Sequence, residues 1–112
     1  MLMGRYQPWH LGHRKLFEEA LDRVGQVCIM IRDVQGWNSS NPFSFEQVKY
    51  FIQRDLDPIY QGQYHVILVP NVTEILYGRD VGYSINKIEL PDEIQQISAT
   101  KIREEMKTKG LL

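Results

Sequence analysis

Cysteine is nearly absent from this 112-residue chain, long apolar runs are missing, and neither sign of charge is in surplus. The single Cys28 allows no internal disulfide, which suits a reducing compartment. Its setting in the apolar run VCIMI reads as a small buried core thiol. No stretch reaches the roughly 18 apolar residues of a membrane span, and the opening MLM is too short for a signal peptide. A cytoplasmic protein without a membrane partner is expected. Thirteen basic residues against fourteen acidic leave a net charge of −1. General attraction to nucleic acid is therefore not expected, and any anion must be bound locally. Internal repeats, low-complexity tracts and linkers are also missing, so a single domain over 1–112 is expected.

What is present is a core: 43% of residues are apolar. Leu16, Phe17, Ala20, Leu21 and Val24 recur at helical spacing, which predicts a helix over about 11–24 that Gly25 ends. Met1–Met3 read as a first strand and Val27–Ile31 as a second, buried on both faces. Ser44 with Gln47 forms a capping-box pattern ahead of a helix whose inner face is Phe45, Val48, Ile52 and Leu56. YHVILVP predicts a third buried strand, TEILYG a fourth and INKIEL a short fifth. A last helix begins at Ser98, turns Ile102 and Met106 inward, and meets Gly110 at its end. Alternating strands and helices predict an α/β fold: a Rossmann-like open parallel sheet of about five strands with helices on both faces. Such sheets bind ligands beyond the carboxyl ends of their strands.

Two segments carry chemistry. In GRYQPWHLGH, His10 stands just before the first helix and His13 in its first turn, where unpaired N–H groups and the helix dipole attract anions. Gly12 lets the backbone come close to a ligand, and an imidazole with a reference pKa of about 6.5 has an adjustable charge. Two readings are open, ordinary capping side chains or anion ligands. Two histidines three apart with no cysteine or carboxylates beside them are a poor zinc site, so no metal held by the protein is expected. In ISATKIR, Ser98 caps the last helix, Thr100 offers a hydroxyl, and Lys101 and Arg103 put cations at the end that favours acids. A bound polyphosphate relieves that conflict; a solvated charged face is the plain alternative.

Together, HLGH and ISATKIR resemble the paired HxGH and ISxTxIR signatures of the nucleotidylyltransferase superfamily. GRYQPWHLGH and NPFSFEQ resemble the corresponding stretches of nicotinamide mononucleotide adenylyltransferases, although Gln47 and Val48 stand where that group often has Glu-Arg. Cytidylyltransferases share the histidine motif. The resemblance implies transfer of a nucleoside monophosphate, AMP favoured, from ATP or CTP to a small phosphorylated acceptor, with pyrophosphate released. It implies catalytic roles for His10, His13 and Arg103. Phosphate or nucleotide contacts are implied for Gly4, Arg5, Gln7, Gly12, Ser98, Thr100 and Lys101, and for Gly78, Arg79 and Asp80 at a strand end. Mg2+ is expected to arrive with the triphosphate. Trp37, Asn41 and Phe43 are expected on the acceptor side, Trp9 in packing, and His65 in a structural role. Tyr6, Tyr60, Tyr64, Tyr77 and Tyr83 suggest an interface between copies of the chain. A nucleotide-binding module without turnover and an unrelated flavodoxin-like domain are the competing readings.

Overall fold

The computed structural model describes residues 1–33, 38, 40–79 and 82–110. In chain order it contains β1 (Leu2–Gly4), α1 (Leu11–Val24), β2 (Val27–Arg32), α2 (Phe45–Tyr60), β3 (Tyr64–Val69), α3 (Asp92–Gln95) and α4 (Ala99–Thr108). The three strands form one parallel sheet in the order β1-β2-β3. Leu2 lies beside Ile29 and Gly4 beside Ile31, while Val27 pairs with Tyr64 and Arg32 with Val69.

Local chemistry explains the helix boundaries. Gly25 takes φ +79° after α1 and donates its N–H to the Leu21 carbonyl at 2.8 Å, a backbone conformation that a Cβ penalises. Ser44 and Gln47 close a reciprocal capping box at the start of α2, with Ser44 N–H to Gln47 Oε1 at 2.8 Å and Gln47 N–H to Ser44 Oγ at 3.2 Å. Ser98 caps α4, and Gly110 follows it at φ +76°.

The core forms between the two long helices and one face of β2. Phe17 and Ala20 of α1, Val27, Ile29 and Ile31 of β2, and Val48, Ile52 and Leu56 of α2 make one buried cluster. Right-handed crossovers in a sheet that grows in one direction place successive helices on the same side. The alternate residues Cys28, Met30 and Arg32 are only half-buried.

Several expectations are corrected here. Helices cover one face of the strands, so β2 alternates in burial instead of being buried throughout, and Cys28 is half-buried. β3 is an edge strand with Ile67 and Leu68 substantially exposed. TEILYG and INKIEL form no strands among the described residues. They have apolar composition but pair with no strand among the described residues, and a strand without hydrogen-bonded neighbours is not stable on its own. Ile75 and Leu76 are accordingly exposed, while Ile88 packs on the core. The radius of gyration is 14.8 Å, where a compact chain of this length has roughly 13 Å. Val24 faces solvent, not the core, and His65 is exposed. Tyr6, Tyr60 and Tyr64 serve contacts within the chain: Tyr6 is buried, Tyr60 donates its hydroxyl hydrogen to Glu18 and Tyr64 to Asp57. No helix among the described residues is long and apolar enough to cross a membrane.

Burial separates two positions that share a helical apolar pattern. Ile52→Ala, at 0% exposure, is expected to cost about 2–5 kcal/mol. Val24→Ala, at 66% exposure, is expected to change stability by less than about 0.5 kcal/mol. Urea denaturation of the two variants checks both values.

Candidate active site at two helix starts

The first loop delivers both histidines to the start of α1, and there they cap it. His10 is the N-cap residue, and its Nδ1 accepts the Gly12 N–H at 3.0 Å. His13 Nδ1 accepts the His10 N–H at 3.1 Å. The rings stack at 3.7 Å between centroids, 20° from parallel. This geometry settles the tautomer. Each Nδ1 faces an N–H and so carries a lone pair, which leaves the proton on Nε2. Both imidazoles are therefore neutral and present an Nε2–H donor. Protonation adds a hydrogen at Nδ1 and breaks the cap. Burial lowers the pKa of His10. Burial and the neighbouring His10 push that of His13 down to about 3.

His13 sits inside an aromatic enclosure. Tyr6 meets it edge-on at 4.8 Å, and Trp9 lies 5.4 Å away. The Tyr6 hydroxyl is buried and meets no hydrogen-bond partner among the described residues. Tyr6 has φ +53°, and its ring passes so close to Gly4 that a Cβ there would lie 3.2 Å from it. Gly4 thus makes room for Tyr6, a packing duty beside the phosphate contact expected of it. Gly12 has a similar duty: an added Cβ would fall 2.8 Å from His10 Cε1.

Gln7 also serves within the chain. Its amide nitrogen donates to the Phe43 carbonyl and its amide oxygen accepts the Phe43 N–H, both at 2.9 Å. The side chain is buried and joins the histidine loop to NPF, a clamping duty beside the nucleotide contact expected of Gln7. Phe43 is likewise buried, with its ring on Phe51. Asn41 is buried and bonded to Asn38, and it accepts from Arg5 at 3.5 Å.

The second motif arrives from the far end of the chain. Arg103 donates through Nη1 to the Gln7 carbonyl and through Nη2 to Thr100 Oγ1 at 3.3 Å. Ser98 Oγ accepts the Lys101 N–H at 3.1 Å, and the Lys101 side chain is exposed. The histidine loop and the start of α4 therefore touch through Arg103. Neither α1 nor α4 has an acidic residue in its first turn, whereas α2 has Glu46 and α3 has Asp92 and Glu93. The two positive helix ends that meet are the two left without internal neutralisation, a setting suited to an anion. Gly78 and Arg79 are exposed and join none of these residues, and an added Cβ at Gly78 would meet nothing within 4 Å. Trp37 and Asp80 lie outside the described residues.

Sequence reasoning missed Arg14 and Asp55. Trp9 Nε1–H donates to Asp55 Oδ2 at 2.9 Å, and Arg14 bonds Asp55 Oδ1 at 3.0 Å. Beside them lies a cavity of about 480 Å³ lined by Trp9, His10, Arg14, Phe51, Asp55 and Met106, among others. No motif spans the 46 positions between Trp9 and Asp55, so no sequence signal announces the pair.

Comparison with known proteins gives concordant results. Residues 1–54 match the family described as Cytidylyltransferase-like, a stretch that carries HLGH and ends before ISATKIR. The chain is 36% identical over 58 residues to a nicotinamide-nucleotide adenylyltransferase of Archaeoglobus fulgidus, covering 51% of this chain and 33% of that protein. It is 32% identical over 75 residues to one from Thermococcus sibiricus, covering 64% and 40% respectively. A third, from Saccharolobus solfataricus, is 28% identical over 68 residues, covering 60% and 40%. The matched part is thus 33–40% of the length of these relatives. No solved structure matches the chain.

Two outcomes follow from the caps. Gly12→Ala favours the helix by its propensity but displaces the His10 ring. Stability, read by urea denaturation, is expected to change by less than about 1 kcal/mol, while the His10 ring signals shift in an NMR spectrum as its stack on His13 is disturbed. The second outcome concerns pH. Between about 6.5 and about 3, unfolded His13 binds a proton that the folded chain refuses. Stability therefore falls as pH drops through that window and is indifferent to this residue above it. His13→Asn, which lacks the titrating ring, is expected to lose less stability than wild type between pH 7 and pH 4 in denaturation experiments.

Proposed function

We propose that this chain, a relative of the nucleotidylyltransferases, transfers a nucleoside monophosphate from a triphosphate to a phosphorylated acceptor. The observation that carries the reading is the contact of Arg103 with the Gln7 carbonyl, which joins the second motif to the loop that holds the two imidazole donors. The relatives' names favour ATP as donor and a nicotinamide nucleotide as acceptor.

In this reading the triphosphate spans the starts of α1 and α4. His10 and His13 donate their Nε2–H hydrogens to oxygens at the α-phosphate, where charge builds as phosphorus becomes five-coordinate. The Ser98 hydroxyl hydrogen, Thr100, Lys101 and the remaining Arg103 donors hold the β- and γ-phosphates, with Arg5 at the edge. An acceptor phosphate oxygen forms the new bond to the α-phosphorus. The bond to the β-bridging oxygen breaks, and pyrophosphate leaves with its electron pair. The acceptor is already ionised, so no general base is needed. The depressed pKa of His13 makes it a fixed donor in place of a proton source. Rate enhancement then comes from positioning and electrostatics. Mg2+ accompanies the triphosphate as part of the substrate, bound by phosphate oxygens.

CTP is the alternative donor, in keeping with the family description. A binding module without turnover is the second reading. It is favoured by the exposure of Gly78 and Arg79, residues expected at the nucleotide. Assembly with a second copy of the chain is compatible with either.

The test is pyrophosphate release with ATP and with CTP, across acceptors that include nicotinamide mononucleotide. Asparagine at position 13 retains an acceptor for the His10 N–H and lacks the Nε2 donor. His13→Asn is expected to lose about 3 kcal/mol of transition-state stabilisation, ~100-fold in rate, with its circular dichroism unchanged. Turnover near wild type in that variant refutes the assignment. Triphosphate binding with no release for any acceptor selects the module.

A further inference from the structure

Asp55 belongs to neither motif and lies in the middle of α2, yet its carboxylate touches the histidine loop. We propose that Asp55 is a positioning residue for His13, acting through Trp9. Four rings meet here. His13 is flanked by His10, Tyr6 and Trp9, at centroid distances of 3.7, 4.8 and 5.4 Å. His10 is held by its own cap, and Tyr6 is wedged against Gly4. Trp9 is anchored differently. Its directional bond runs to another element, Nε1–H to Asp55 Oδ2 at 2.9 Å, and leaves the indole 8% exposed.

The second carboxylate oxygen accepts from Arg14, the residue after His13, at 3.0 Å. Arg14 also approaches Glu18 at 3.9 Å, and Tyr60 donates to Glu18. Asp55 thus grips the loop before His13 and the helix after it. The 480 Å³ cavity borders Trp9 and Asp55, so a released indole has space to swing into. Once it swings, water reaches His13, the Nδ1 cap competes with solvent, and the Nε2–H donor loses its fixed aim.

Among the described residues, His10 and Tyr6 face His13 directly, Arg14 follows it on α1, Asp55 on α2 bonds Arg14 and Trp9, and Arg103 of α4 bonds the Gln7 carbonyl of the same loop. Burial is the largest cause of the low pKa of His13, so an opened enclosure has a direct signature. The part of the proposal that concerns turnover rests on the function proposed above; the part that concerns the state of His13 does not.

The experiment follows the imidazole nitrogens by 15N–1H NMR from pH 7 to pH 5 in wild type, Asp55→Ala, Trp9→Phe and Glu18→Gln. In wild type, His13 is expected to remain the Nε2–H tautomer across the range. In Asp55→Ala and Trp9→Phe it is expected to titrate within the range, towards the ordinary value of about 6.5. Nucleotidyl transfer falls about tenfold alongside. Glu18→Gln loosens the same α1–α2 seam without touching Trp9, and is expected to leave His13 silent. A silent His13 in folded Asp55→Ala and Trp9→Phe overturns the proposal. So does an equal shift in Glu18→Gln, which would mark Asp55 as a general seam contact. Should Asp55→Ala fail to fold, Trp9→Phe decides alone, because it keeps an aromatic ring and removes the anchoring N–H. If wild type shows no turnover on any acceptor, the NMR result still stands or falls independently.

Discussion

Everything at this site depends on how the first turn of α1 satisfies its backbone. A helix start leaves four N–H groups without partners, and short oxygen-bearing side chains usually take them. Here imidazole nitrogens accept instead, from Gly12 and from His10. One arrangement thereby does two things. It caps the helix, and it forces both rings into the tautomer with hydrogen on the outward Nε2. The cap needs Nδ1 unprotonated, and the aromatic enclosure lowers the pKa in the same direction. Neutral donors at a positive helix end suit a phosphate whose negative charge is already balanced in part by the dipole.

The cap would mean little if the loop that carries it were loose. Gln7 prevents that by pairing with both backbone groups of Phe43, as a strand neighbour does. Arg103 then binds the carbonyl of the same residue from the opposite end of the chain. Gln7 is therefore the junction of three segments: its side chain faces NPF and its main chain faces α4. Gly4, Gly12 and Gln7 show that motif residues carry packing duties: they hold the geometry of their neighbours Tyr6, His10 and Phe43.

Much of the fold was legible from periodicity. The boundaries of α1 and α2 followed from Gly25 and from the Ser44–Gln47 box, and the inner face of α2 from Val48, Ile52 and Leu56. Strand number was not legible, because TEILYG and INKIEL have strand composition yet join no strand among the described residues. Burial on both faces of the strands was not legible either. An apolar run looks the same whether one face or two are covered, and here α1 and α2 pack on one side. At the site, the standing of His10, His13 and Arg103 at or near helix starts was legible, while the contacts of Asp55 and Arg14 were not, since their link to Trp9 crosses between helices.

The chain's order of residues determined, unaided, where helices start and stop, because caps and apolar periods are matters of a few neighbouring residues. It also determined that cations and imidazoles stand at two helix starts, in conflict with the dipole within one turn. Only the tertiary structure decided that these segments meet, that each imidazole presents Nε2–H, and that Trp9 is anchored by a carboxylate on another helix. Those outcomes depend on distances between atoms far apart along the chain. Such distances are set by packing around the shared core, and no local pattern encodes them.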